Sequence, residues 1–476
     1  MSIPLAIVLI YIAVLFLISF WAEKRARGGV ENYVLAGRKL TTTLVTVSIV
    51  GLAIGGASTI GVSEQAYRVG LSAGWYTAAW GIGAICMGLL VAKKYRQLRI
   101  STIPELLERF YDKKGMVIGV VCQIIIQLVI TSLQYIAGGT ILHVMLPNIF
   151  SFSSGMLTSA VVFIGITFIG GMWSASLSNI LNVLLIYVGI VAATIVSVVQ
   201  AGGMEAIVAK LPPSVPYTSL IDGVGPLGII GWILVLVTVN LSLQSIIQIS
   251  LGARDIATAQ RGFVIGGIMM LPIGFVCALM GIIAKANHPD VSAAMALPLM
   301  IMSLHPVLSG VTLAALWAAD ISTACNLLLS SATLFSQDIY KRMINPDTSE
   351  QKLLLVTKSS VLVLGALTLV LAMTVSGIIQ TLMVGLSLTA AFSVVVLFTL
   401  FAPGLCRKNS AFYTIAGGLL TLVLWQTFPA IRILPHVIYL EWLVCVSIFL
   451  IVHILDTNPI KIDAGAGVVE EAADSI

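Results

Sequence analysis

The chain is 476 residues long, 59% hydrophobic and only 9% charged, with a mean hydropathy of +1.07. Soluble globular chains carry roughly 25% charged residues, so a soluble enzyme, a disordered scaffold and a secreted disulfide framework are all excluded. The net charge of +5 matters less than where the basic residues fall along the chain.

About thirteen apolar stretches have the length a helix needs to cross a bilayer, which predicts an all-α integral membrane protein. The first, Ile3 to Trp21, has no basic residue before it and a basic cluster after it. A signal peptide has the reverse polarity, so a retained leading helix is expected. With its following loop it fills about residues 1–42. A first set of five helices is expected over about 43–200, at 43–64, 72–92, 115–143, 153–171 and 177–200. A polar outer loop with Pro212, Pro213 and Pro216 covers about 201–226. A second set spans about 227–402, with helices 6 to 10 at 227–251, 262–284, 307–335, 357–377 and 379–402. Two peripheral helices, 411–428 and 434–454, lie in about 403–456, and a short acidic tail follows at 457–476.

Five helices on each side of a long outer loop mean that the second set enters the membrane from the opposite face. Inverted five-helix repeats of this kind build transporters whose site lies at the midplane, between broken helices. Helix 1 has the composition of a broken helix: Gly51, Gly55, Gly56 and Gly61 are interleaved with Ser58 and Thr59. Hydroxyls satisfy freed backbone groups where water cannot reach; close packing by small residues is the competing explanation. Helix 6 has no glycine or proline at its middle, yet carries Asn240, Ser242, Gln244, Ser245 and Gln248. That is too polar for a helix facing lipid.

Lys24, Arg25, Arg27, Arg38 and Lys39 follow the leading helix, and Lys93, Lys94, Arg96 and Arg99 follow helix 2. Arg254, Arg261, Lys341, Arg342, Arg407 and Lys408 fall on that same side, against Arg68, Lys210, Lys285 and Arg432 on the other. Basic residues gather in cytoplasmic loops. The N-terminus is therefore expected outside and the C-terminus in the cytoplasm, in a cell membrane. The expected partners are the lipid bilayer and a small-molecule solute, with no nucleic acid and no obligate protein partner evident. The six cysteines show no metal-like spacing and read as small buried hydrophobes.

Asp320 lies deep in an apolar helix, within Leu313–Phe335, whereas Glu441 is near the outer end of the last one, within reach of the headgroups. An intramembrane acid is a functional candidate by default. On a helix, Ala319, Ser322 and Thr323 share one face and present a carbonyl and two hydroxyl oxygens together. Small hard cations are held by such oxygens, and unwound carbonyls complete such sites in transporters. The alternative is that both hydroxyls bond back to their own helix.

Several stretches resemble the sodium:solute symporter family: Gly56-Ala57-Ser58-Thr59-Ile60-Gly61, Ala66-Tyr67-Arg68-Val69-Gly70-Leu71, and Thr102-Ile103-Pro104-Glu105-Leu106-Leu107-Glu108-Arg109. Gly170-Gly171-Met172-Trp173 and the stretch from Ser322 to Gln337-Asp338-Ile339-Tyr340 do so as well. The resemblance implies a LeuT-type fold, an inverted repeat with broken helices 1 and 6, and uptake of a small organic solute driven by sodium. It implies a sodium site of carbonyls from Ala57 and Ile60 on helix 1, the carbonyl of Ala319, and the hydroxyls of Ser322 and Thr323. Beside it, Ser58, Thr59, Gln134, Tyr135, Asn240, Gln244 and Gln248 are the solute candidates. Two departures stand out. Ile249 replaces an arginine that often follows the family's glutamine at Gln248. Asn179 stands where the family often has an aspartate, while Asp320 appears where many members are apolar. Asp320 is therefore expected to serve an additional cation or a proton, unless it is a protonated acid bonded within the bundle.

A non-transporting solute sensor on the same fold is the alternative function, although the short tail offers no output domain. A passive channel lacks a repeated ring of charge. An intramembrane hydrolase is suggested only by Gly70-Leu71-Ser72-Ala73-Gly74, which fits a nucleophile elbow. Ser72 is expected at the outer mouth of helix 2, and His143, His288, His305, His436 and His453 all sit near helix ends or loops. No enzyme is expected, and the solute reads as a small amino acid or short carboxylate.

Overall fold

The computed structural model describes residues 3–374, 383 and 385–460. The expected start of helix 10, the last residues of helix 9 and most of the tail fall outside these residues. The described chain is helical, with two isolated bridges, Leu40 to Ala253 and Arg407 to Pro459, as its strand-like contacts.

In chain order the helices are α1 (Ile3–Ala26), α2 (Val30–Leu35), α3 (Thr42–Ala53), α4 (Ala57–Val69), α5 (Leu71–Leu98) and α6 (Ile103–Phe110). Next come α7 (Lys113–Met145), α8 (Phe152–Gln200), α9 (Met204–Ala209), α10 (Pro226–Ser242), α11 (Gln244–Gly252) and α12 (Ile256–Asn287). The chain closes with α13 (Ala293–Met302), α14 (Pro306–Thr333), α15 (Glu350–Ala372), α16 (Gly385–Phe401), α17 (Ser410–Thr427) and α18 (Val437–Leu455). α14 continues as a π-helix over Leu334–Ile344. Short polar side chains start several long helices: Asp112, Ser151, Asp255 and Ser349 each accept a backbone N–H from the first turn. These caps satisfy donors that the helix leaves open.

At 49 residues, α8 would measure about 74 Å if straight, more than twice a bilayer's apolar thickness. It is broken at Gly171 (φ 52, ψ −134), where a side chain would collide with the carbonyl of Tyr33. The Tyr33 hydroxyl in turn donates to the carbonyl of Thr167 at 2.7 Å. The expected short loop between helices 4 and 5 is thus a single kinked residue.

Eight described helices are long and apolar enough to cross a membrane, ten when each bent pair is taken as one span. The larger expected number treats the two halves of α8, and α16 and α17, as spans of their own. Both breaks are present: α3 meets α4 at 58° and α10 meets α11 at 50°. The second occurs at Leu243 (φ −77, ψ 128). Burial separates the centre from the rim: 83% of the apolar window of α14 is buried, against 28% for α1 and for α18. α14 packs against α8, α7, α1 and α3, so its side chains meet helix 1 at the heart of the bundle.

Candidate functional site

The site is built where α3 stops. The last carbonyls of a helix have no partner four residues on, and here neighbouring hydroxyls reach them. Ser322 Oγ lies 2.6 Å from the carbonyl of Gly51 and 2.8 Å from that of Ala319. Thr323 Oγ1 lies 2.9 Å from the carbonyl of Leu52 and 3.2 Å from that of Gly51. Five oxygens from α3 and α14 therefore converge in one buried cluster. The oxygens of Ala319, Ser322 and Thr323 come together as their spacing predicts.

Their helix 1 partners differ from those expected. The break lies between Ala53 and Ala57, so Ala57 and Ile60 belong to the far half, and the carbonyl of Ala57 accepts the N–H of Val62. Gly51 and Leu52, at the end of the near half, meet the hydroxyls instead. Glycine is required at the break itself: a Cβ on Gly55 would strike Thr323 Oγ1 and, at 2.6 Å, Gln134 Oε1. One on Gly56 would lie 2.5 Å from Asp320 Oδ1 and 2.6 Å from the Ala137 methyl.

Two glutamines of α7 hold the two breaks. Gln134 Oε1 accepts the N–H of Gly56 at 2.9 Å. Gln123 bridges the helix 6 break: its Nε2 donates to the carbonyl of Ser242 at 2.9 Å and its Oε1 accepts the N–H of Gln244 at 3.2 Å. Eleven residues are about three helical turns, so both side chains leave the same face of α7. Gln123 was not among the expected site residues. Its only mark in the sequence is that Gln123, Gln127 and Gln134 recur at helical spacing in an otherwise apolar segment.

Between the breaks lies a cavity of about 20 Å³, walled by Ala53, Gly55 and Ala57, by Tyr76 and Trp80 of α5, and by Gln134, Leu243 and Thr323. That is room for about one water, too little for an organic solute. Of the seven solute candidates, Gln134 lines this cavity. Ser58 Oγ donates to the carbonyl of Ala53 and Thr59 Oγ1 to that of Gly55, both within helix 1. Tyr135 reaches the carbonyl of Gly365, and Asn240 donates to the carbonyl of Leu236 in its own helix. Gln244 donates to the carbonyl of Ser101 and accepts the N–H of Ile103; Gln248 donates to the carbonyl of Val34 and to Thr333. These two tie α11 to α2, to the end of α14 and to the start of α6 rather than to the cavity. Trp80 offers a buried N–H with no acceptor, and sequence alone did not select it.

Asp320 is fully buried, and the backbone N–H of Gly56 faces its carboxyl group. It flanks helix 1 at Gly56, while the amide of Asn179 flanks it at Gly51. Asn179 is held by Asn182, which is held by Tyr11 of α1 at 2.7 Å. Ser72 carries no nucleophilic arrangement. Its Oγ accepts the N–H of Val224 and pins the outer loop.

A helical bundle with two broken spans meeting at a buried site has the architecture of secondary transporters of the LeuT type. A solved Na+-coupled sialic acid symporter superposes with a TM-score of 0.81 at 17% identity, covering 97% of this chain and 99% of that one. The family model for the sodium:solute symporters matches residues 33–410, and the chain belongs to that family. A sodium/glucose cotransporter of Vibrio parahaemolyticus is 29% identical over 410 residues, 78% of this chain and 75% of the relative. A sodium/proline symporter of Staphylococcus aureus is 24% identical over 459 residues, 90% and 86% of the two chains. The protein is thus a multi-pass, sodium-coupled solute symporter and not an enzyme.

Proposed function

We propose that this symporter brings a small amino acid or short carboxylate into the cell, with sodium bound at the end of α3. The observation that carries this reading is the cluster of five oxygens from Gly51, Leu52, Ala319, Ser322 and Thr323. Two hydroxyls already lie against two freed carbonyls; a cation entering there replaces those hydrogen bonds with ion–oxygen contacts and draws α3 and α14 together. The solute sits in the adjoining cavity, against Gln134 and Trp80, and Thr323 belongs to both sites. Sodium and solute therefore order the same break, and each favours the other's binding. No basic side chain is among the residues lining the cavity. A solute carboxylate is met by sodium and by the N–H groups of a helix start.

Asp320, fully buried beside Gly56, serves an additional cation or a proton. Asp320→Asn with unchanged uptake, ion stoichiometry and pH dependence would remove that role. The N-terminus is outside and the C-terminus cytoplasmic, on the distribution of basic residues. The two five-helix sets, about 43–200 and 227–402, rock against each other to expose the site alternately.

The test is uptake of a labelled solute panel into proteoliposomes, with and without an inward sodium gradient, for wild type and Ser322→Ala/Thr323→Ala. Sodium-driven accumulation lost in the double variant supports the reading. Sodium-dependent binding without accumulation would instead identify a sensor.

A further inference from the structure

Glu441 stands apart from the transport site and is used by nothing described so far. It lies one turn inside α18, whose buried face runs Val437, Ile438, Glu441, Cys445, Phe449 and Val452. Rather than turning out toward the headgroups, its side chain points into the bundle and is 0% exposed. α18 is firmly seated there. Trp442 Nε1 donates to Thr238 at 3.2 Å, Tyr439 donates to the carbonyl of Leu227 at 2.6 Å, and Phe449 stacks on Phe398 at 4.4 Å.

The helices packed against α18 are α10, α16 and α17. None of the three contains a lysine, arginine, histidine, aspartate or glutamate. Their one titratable side chain is Tyr413, which is 52% exposed on the bundle's outer surface. Residues 375–384, which precede α16, also contain no charged residue. Along α18 the neighbours are the Cys445 thiol, one turn on, and His436 at the N-cap. His436 Nδ1 accepts the N–H of Ile438. Burial pushes its imidazole down to about 4, so it is neutral at pH 7 and supplies no countercharge.

Among the described residues the carboxyl of Glu441 meets the hydroxyl of Ser387, at the start of α16, and no cationic group. A metal cation needs several oxygens around it, and no group of three acidic, histidine or cysteine side chains occurs among the described residues. An ionised carboxylate here would be a bare charge in hydrocarbon, which proteins avoid.

We propose that Glu441 is a proton-binding site, separate from the sodium site, and that its proton is what allows α18 to seat on α16. The neutral acid spans two elements with different roles. α16 belongs to the second five-helix set, whereas α17 and α18 flank the repeat. The proton removes the charge that would otherwise hold the flanking helix off.

The test uses the full chain in lipid nanodiscs and needs no transport. The infrared difference spectrum of wild type minus Glu441→Gln at neutral pH is expected to show a protonated-acid carbonyl band, shifted by D2O and unchanged by added sodium. Carboxylate bands in its place, or an acid band lost on adding sodium, would overturn the assignment. The Glu441→Gln variant replaces the acid by a neutral group of the same shape, and uptake at neutral pH is expected to stay within about twofold of wild type. A folded, monodisperse Glu441→Gln protein that melts far below wild type would show that the site needs a charge, which also overturns the proposal. Because the spectrum is read without solute, its outcome is independent of the transport assay.

Discussion

Ser322 and Thr323 are adjacent in sequence and share the carbonyl of Gly51, with Thr323 reaching Leu52 as well, because the two residues point about 100° apart on α14 while the carbonyls belong to one unwinding turn. Removing both hydroxyls deletes two of the five oxygens. Ser322→Ala/Thr323→Ala is therefore expected to raise the sodium concentration for half-maximal uptake by about tenfold or more, as charge-assisted contacts are worth about 1.5–3 kcal/mol each. A sodium titration of uptake checks this, and an unchanged midpoint would place the ion elsewhere. The trio on α14 was legible in the sequence because helical spacing alone fixes which residues share a face. Its partners were not. The glycines extend from Gly51 to Gly61, and only the contacts of Gly55 with Thr323 and of Gly56 with Asp320 decide where within that run the helix opens. Gly56→Ala is expected to abolish uptake while leaving the protein in the membrane, since the added methyl group meets Asp320 and Ala137 at 2.5–2.6 Å. Uptake matched to expression level on membranes reads it directly.

At the scale of elements, the break in helix 6 has a tertiary cause. Nothing in Val239 to Ser245 would interrupt a helix by propensity, as the segment lacks glycine and proline; Gln123 of α7 supplies an acceptor and a donor in place of the missing backbone bonds. That is why the helical pattern could announce the polar character of helix 6 but not its bend. It also explains why Gln244 and Gln248 read as solute contacts. In a membrane, a polar side chain serves either a ligand or a neighbouring backbone, and spacing does not say which. Gln123→Ala leaves Ser242 and Gln244 without these partners, at a cost of about 1–3 kcal/mol for each buried group left unpaired. The expected result is solute affinity reduced by about tenfold with the sodium midpoint little changed, because the sodium oxygens lie at the other break. Parallel titrations of solute and sodium separate the two, and equal losses in both would make Gln123 a general support of the fold.

For the whole molecule, a cavity of about 20 Å³ means that the helices around it must part before a solute enters. The end carrying most of the basic residues is held by a polar mesh. Arg38 and Arg96 both reach the carbonyl of Leu251, the Leu40 N–H donates to the carbonyl of Gly252 while the Leu40 carbonyl accepts the N–H of Arg254, and Gln248 holds Val34. The strongest part is Arg342, which meets Glu105 at 2.9 Å, Glu108 at 2.8 Å and Asp338 at 3.5 Å. Asp338 is fully buried and also accepts from Thr102 at 2.8 Å. An exposed ion pair is worth about 0–1 kcal/mol, but here one guanidinium serves three carboxylates and its removal leaves a buried one unpaired, a more costly outcome. This mesh joins α6 to the π-helical end of α14, so loosening it frees the basic end of the element that carries Ser322 and Thr323. Arg342→Ala is expected to shift the population toward a state open at that end. In a chain with the native cysteines replaced and Leu327→Cys added to the cavity wall, a membrane-impermeant maleimide applied from the basic side should react several-fold faster when Arg342→Ala is present. Faster reaction from the opposite side, or equal rates from both, would show that the mesh does not hold this gate closed.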